Sequence, residues 1–129
     1  MISDLAIRFA TLADAADIAC MSRDSIEQGL PWRWTVDRVA RTIKDPNTNV
    51  VVVGEQGAIA GFGIMFYTED DAHLLLLAVS GARRRHGIGS AILLWLEAAA
   101  RSAGAKRIRV ETRRDNDAAR NFYLSLIHI

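Results

Sequence analysis

The 129-residue sequence has one cysteine, Cys20. No intramolecular disulfide and no cysteine cluster for zinc can therefore form within the chain. Cys20 falls in an apolar helical pattern, which predicts a buried structural thiol rather than a nucleophile. No apolar run approaches the length of a membrane span. The N-terminus lacks the charged-then-apolar layout of a signal peptide, so a soluble cytoplasmic protein is expected. Aromatic residues make up only 7% and hardly interleave with the arginines, which themselves divide between a loop and a strand. That pattern argues against a stacking nucleic-acid surface. Internal repeats and low-complexity segments are absent too, and residues 1–129 read as a single domain.

Half of the residues are hydrophobic and 24% are charged, a balance that suits a soluble globular core. The net charge of +1 hides an asymmetry. Residues 1–79 carry a net −5 and residues 80–129 a net +6. A basic C-terminal half suits a polyanionic partner, such as a phosphorylated cofactor.

Periodicity and turn chemistry predict the elements. Leu5 to Ala10 alternates as a first strand. Thr11-Leu12-Ala13-Asp14 resembles a capping box, with Asp for Glu, opening a helix to about Gln28. Ile18, Met21, Ser22, Ser25 and Ile26 share one side of it. Gly29 and Pro31 stop that helix, and Thr35 caps a second one to about Lys44. Strands are expected over Asn49–Val53 and Ala58–Tyr67, joined by a hairpin turn at 54–57. A turn at 68–71 leads into a strand over Ala72–Val79, whose Leu74–Leu77 run predicts a central strand covered on both faces. A helix over 88–103 ends at Gly104, a strand covers Lys106–Thr112, and a last helix runs from Asn116 to about Leu126. The order is β-α-α-β-β-β-α-β-α: a mixed α/β sheet in which an antiparallel meander feeds one β-α-β crossover.

The chemistry concentrates at Arg84-Arg85-His86-Gly87-Ile88-Gly89, between a strand and a helix start. N–H groups at a helix start lack intrahelical partners and sit at the positive end of the dipole. Glycines at 87 and 89 remove side chains that would hold an anion away, and the arginines add charge. No Lys-Ser or Lys-Thr follows the glycines, which excludes the P-loop of nucleoside triphosphatases. Ile92 occupies the place of the third glycine of the dinucleotide fingerprint, and that motif belongs on a first strand rather than after a meander.

The segment resembles the acyl-CoA motif of the GCN5-related N-acetyltransferases (GNAT), Arg/Gln-x-x-Gly-x-Gly/Ala, through Arg84, Gly87 and Gly89. The element order, Leu77 to Val79 before the motif, and Asn116 with Phe122-Tyr123 after it extend the resemblance over nearly the whole chain. The resemblance implies a GNAT-like acyl-CoA N-acyltransferase fold and an enzyme that moves an acetyl group from acetyl-CoA to a primary amine. Attack would be direct, in a ternary complex; Cys20 lies too early in the chain to be an acyl carrier. It further implies that main-chain groups of Leu77, Ala78 and Val79 pair with the pantetheine arm. Backbone amides of Arg84, Arg85, His86, Gly87, Ile88, Gly89 and Ser90 would hold the pyrophosphate, and Asn116 would lie beside the pantetheine. No metal is implied.

Tyr123 is the proton donor that the resemblance implies. A phenol near the thioester can protonate the departing CoA thiolate. Asn116 and Tyr123 are two helical turns apart and share a face; an aromatic packed on the sheet is the alternative. Glu111, Glu69, Asp70 and His73 are candidates for the base that deprotonates the ammonium, directly or through water, with Glu111 the choice nearest the cofactor strand. Glu111 also lies among Arg109, Arg113 and Arg114, where an ion pair is the alternative. By the same resemblance the connection between the first two helices, with Glu27, Leu30, Trp32, Arg33 and Trp34, contributes to the acceptor site. The tryptophans either line a pocket for an apolar or cationic acceptor or plug the core.

The sequence departs from the family pattern after Leu126, where Ile127-His128-Ile129 stand in place of Gly-Phe and the closing strands. The C-terminal strands are thus expected to be missing, leaving the strand from Lys106 with an open edge. A truncation, a frame change, or a strand supplied by a second subunit in a homodimer would each account for this. A CoA-sensing domain without turnover is the alternative function.

Overall fold

Strands form where β-branched and aromatic residues run between turn residues. The computed structural model describes residues 6–81 and 87–110. It contains β1 (Ile7–Phe9), α1 (Ala15–Ser25), α2 (Val36–Lys44), β2 (Thr48–Glu55), β3 (Ala58–Tyr67), β4 (Asp71–Val79), α3 (Ile88–Ser102) and β5 (Arg107–Val110). The strands build one sheet in the order β1-β2-β3-β4-β5. Neighbours are antiparallel up to β4, and β5 joins β4 in parallel after the α3 crossover. The beginning of the first expected strand, the end of the strand to Thr112 and the last helix over 116–126 lie outside the described residues.

The sheet is covered on both faces, as the apolar run in β4 predicts. Val51, Val53, Met65, Ala72, Leu74 and Leu77 pack with Ile88, Ile92, Leu93 and Leu96 of α3. Val50, Val52, Phe62, Ile64, Leu76 and Ala78 pack with Ile18 and Ala19 of α1 and Val39 of α2. Gly61 and Gly63 let α3 approach β3 closely. A Cβ at Gly63 would stand 2.7 Å from Ile92 Cγ2 and 2.8 Å from Leu96 Cδ1, and both partners are fully buried. Gly63→Val should cost about 2–3 kcal/mol through overpacking, read as a lower midpoint in urea denaturation. An unchanged midpoint would mean that α3 has slack over the sheet.

The capping box forms, but it closes a single 3₁₀ turn, Leu12–Asp14, ahead of α1. The Asp14 carboxylate is fully buried. It accepts from Arg8 Nη1 and Nη2 at 2.8 and 2.9 Å and from the Thr11 N–H at 2.8 Å. The Arg8 guanidinium above all, with the Thr11 N–H, holds this carboxyl below the usual range against the opposing effect of burial. Such a group stabilises the fold fully above its unfolded pKa of about 4, and the contribution is lost as pH falls through the lowered folded value. Asp14→Asn should cost about 2 kcal/mol at pH 7, the half-exposed Arg8 being free to rehydrate. The gap between the two proteins, measured by denaturation, should narrow below about pH 4. A gap independent of pH would sink this account of Asp14.

Cys20 corrects an expectation: it is exposed. The buried stripe of α1 is Ala15, Ile18, Ala19 and Ser22, and Cys20 lies about 200° around the helix from Ile18. Helix α1 also ends at Ser25, short of Gln28. The chain turns there because the N–H groups of Ile26 and Glu27 both bond to the Ser22 carbonyl. Among the described residues, no helix is long and apolar enough to cross a membrane, and no group of three or more His, Cys, Asp and Glu is placed to hold a metal.

Candidate functional site

The site is built around the second half of β4. In β4, Ala72 and Leu74 face α3, yet so do Leu77 and Val79. The parity changes because Leu75 is an extra residue: Met65 pairs with Leu74 and Ile64 with Leu76. This bulge decides which main-chain groups of Leu77–Val79 point away from β3. The Ser80 N–H donates to Ala60 O at 2.8 Å. Ser80 is therefore in a hydrogen-bonded pair, and by alternation so is Ala78, opposite Phe62. Leu77 and Val79 then form the pairs that do not bond to β3, opposite Gly63 and Gly61. Their N–H and C=O groups point to the β5 side of the strand. Among the described residues the β5 ladder reaches only Leu74, opposite Val110.

The lower end of that ladder is clamped. Asp71 Oδ1 accepts from Arg107 Nε and Oδ2 from Arg109 Nε, both at 2.8 Å. The Arg109 and Arg107 guanidinium groups hold the Asp71 carboxyl below its ordinary range. His73 lies beside Phe66, ring centroids 5.9 Å apart, and about 13 Å along the strand from Leu77 at ~3.3 Å per residue. Asp70 and Glu69 are exposed in the β3–β4 turn, and Asp70 faces Lys106 Nζ at 3.6 Å.

The upper end leads to the start of α3. Gly87 caps the helix with φ 76°, a left-handed conformation that glycine adopts at no steric cost. The first helical bond runs from the Ala91 N–H to Gly87 O at 3.0 Å, so Ile88, Gly89 and Ser90 present N–H groups ahead of it. Among the described residues no side-chain hydrogen bond caps this end, and no acidic residue lies in the first turn. Gly89 differs from Gly87. Among the described residues, a Cβ there would meet only Val79 Cγ2, at an ordinary 3.5 Å.

On the opposite face, α1 reaches across to β4 while α2 packs on β2. The connection between them borders the same core cluster as Leu75, through Ile26 and Trp34. Glu27, a predicted acceptor-site residue, is 7% exposed. Its Oε2 accepts from Ser22 Oγ at 2.9 Å; its Oε1 accepts from the N–H of Arg33 at 2.7 Å and of Trp34 at 3.2 Å. The carboxylate thus shapes the loop from behind. The two tryptophans divide between the two readings: Trp34 packs at the core edge, and Trp32 is exposed. Arg38 stacks 3.8 Å from the Trp34 centroid and Arg23 5.3 Å from that of Trp32.

The family model for the acetyltransferase (GNAT) family matches residues 16–126. The chain belongs to that family. Solved GNAT-like structures share its fold. Ard1 from Thermoplasma volcanium is 26% identical, with a TM-score of 0.76 over 94% of this chain and 80% of that one. The ribosomal-protein-S18-alanine N-acetyltransferase of Escherichia coli is 24% identical, with a TM-score of 0.78 over 95% and 76%. The PaiA N-acetyltransferase of Thermoplasma acidophilum, solved in complex with coenzyme A, is 17% identical, with a TM-score of 0.78 over 95% and 87%. Among curated protein sequences, none matches the chain.

Within this GNAT frame, the end of β4 with Leu77, Ala78 and Val79 lies beside the start of α3 with Gly87, Ile88, Gly89 and Ser90, while Glu27, Trp32 and Trp34 lie in the α1–α2 connection on the other face of the sheet. Arg84, Arg85, His86, Glu111, Asn116 and Tyr123 lie outside the described residues. Sequence reasoning overlooked the Leu75 bulge, the Asp71 clamp and the glycine pair in β3. Only the pair had a legible signal, two glycines at i and i+2 that must share one face of a strand.

Proposed function

We propose that this GNAT chain uses acetyl-CoA to acetylate a primary amine by direct attack in a ternary complex. The observation that carries the reading is Gly89, a helical glycine that, among the described residues, has room for a Cβ and stands beside a helix start with no side-chain cap. A pyrophosphate bound on the Ile88–Ser90 amides would use the space that a side chain would fill. The outward N–H and C=O groups of Leu77 and Val79 suit an amide-bearing pantetheine arm, added as a strand would be. Bound acetyl-CoA would supply the activated thioester.

The chain's own residues then have separate tasks. Backbone amides at the start of α3 neutralise the phosphates, with Arg84 and Arg85 adding charge. Tyr123 Oη gives up a proton to the leaving sulfur, and Glu111, directly or through water, takes one from the attacking ammonium. Asn116 flanks the pantetheine, and Trp32 and Trp34, on the loop whose Arg33 and Trp34 N–H groups Glu27 holds, border the acceptor.

The test is an amine panel read by free thiol release, beside calorimetric titration with CoA. Thiol release with at least one amine is the expected result. CoA binding with silence across the panel would overturn catalysis in favour of a sensing domain, and loss of both would remove the cofactor as well.

A further inference from the structure

The α1–α2 connection presents one guanidinium to solvent with no acid paired to it among the described residues. Arg33 is the one charged residue between Gln28 and Thr35. It is exposed, and its side chain forms no ion pair among the described residues. Arg23 and Arg38 flank it on Trp32 and Trp34. Of the acids nearby, Glu27 is buried and bonded to Ser22 and to loop N–H groups. Asp24 pairs with Arg23 at 3.1 Å. Asp37 lies in the first turn of α2, where the helix dipole favours a negative charge.

Both tryptophans therefore already carry a guanidinium on the ring. A cationic acceptor placed against them would meet like charge instead of a vacant aromatic face. An anionic group would meet Arg33, a planar donor suited to a carboxylate. Of the apolar or cationic acceptor that the pair of tryptophans suited in the sequence, this argues against the cationic one.

We infer that the acceptor is a primary amine that also bears a carboxylate, and that Arg33 at the rim of the α1–α2 connection reads that carboxylate. The inference rests on the reading above in which this connection borders the acceptor. Polyamines and other multiply cationic amines are then poor acceptors. The preference is electrostatic at an exposed side chain, so it weakens as ionic strength rises.

The experiment compares acceptors that differ only in charge. One series is β-alanine, β-alaninamide and 1,3-diaminopropane; the other is the peptides Ser-Asp-Ala, Ser-Asn-Ala and Ser-Lys-Ala, each as the C-terminal amide. Thiol release should give kcat/KM about tenfold higher for the carboxylate-bearing member than for its neutral partner in at least one series, with the cationic member last. Arg33→Glu should abolish or invert that order while CoA affinity, measured by calorimetry, stays the same.

Turnover without the charge order, or an order that survives Arg33→Glu, overturns the inference and leaves the acetyltransferase intact. CoA binding with no turnover on any acceptor in the amine panel or in these series overturns the catalytic reading and this inference together.

Discussion

Gly89→Ala should weaken CoA binding about a hundredfold while the protein stays as stable as before or becomes slightly more so. The two halves of this result have separate causes. In the free protein the new methyl meets, among the described residues, only Val79 Cγ2 at 3.5 Å, and alanine in a helix is favoured over glycine by up to about 1 kcal/mol. In the complex the same methyl occupies the space through which a phosphate reaches the α3 amides. Losing one charge-assisted hydrogen bond there is worth about 1.5–3 kcal/mol, enough for a hundredfold at the upper end. Calorimetry with CoA and a thermal melt read the two halves. Unchanged affinity would remove the α3 start as the anion site, whatever happens to stability. Gly87→Ala cannot separate these effects, because its φ of 76° makes any side chain strained in the free protein.

Tyr123→Phe should lower kcat about a hundredfold at unchanged CoA affinity. The departing thiolate is a far weaker base than the alkoxide or amide it resembles, yet a positioned proton donor still contributes about a hundredfold or more to such a step. Phenylalanine keeps the ring and its packing and removes only the donor. A fall in kcat with CoA affinity intact therefore reports proton transfer rather than folding. If kcat stays within about twofold of the parent, Tyr123 is a packing aromatic and the leaving group is protonated from elsewhere.

Most of the described architecture was legible in the sequence. The helices at 36–44 and 88–102 and the strands β2, β3 and β4 fall within a residue or two of where periodicity and turn residues put them. Those signals are local. Thr35 caps α2 by accepting from the Arg38 N–H, three residues away. Gly87 needs only its own backbone conformation to open α3. The family was legible for the same reason: Arg84, Gly87 and Gly89 are neighbours along the chain, and the family model spans residues 16–126.

Other features depend on groups far apart in sequence. Which face of α1 is buried is decided by the sheet, so a cysteine in an apolar pattern ends up outside. Glu27 is expected from the sequence at the acceptor site, and only the folded loop places the Arg33 and Trp34 N–H groups on its carboxylate. The tryptophan pair looks open until Arg23 and Arg38 cover it, one from each helix.

The sequence by itself therefore determined the element types, their order and the glycine-bearing start of α3, since each follows from spacing within one or two turns of chain. Tertiary structure alone decided that Leu75 bulges and so turns the main chain of Leu77 and Val79 outward. It alone decided that Gly89 has room for a Cβ among the described residues, and that guanidinium groups stand over Trp32 and Trp34. The physical reason is common to all three. Strand register, free space and the balance of neighbouring charges are properties of chain segments brought together, and no single segment carries them.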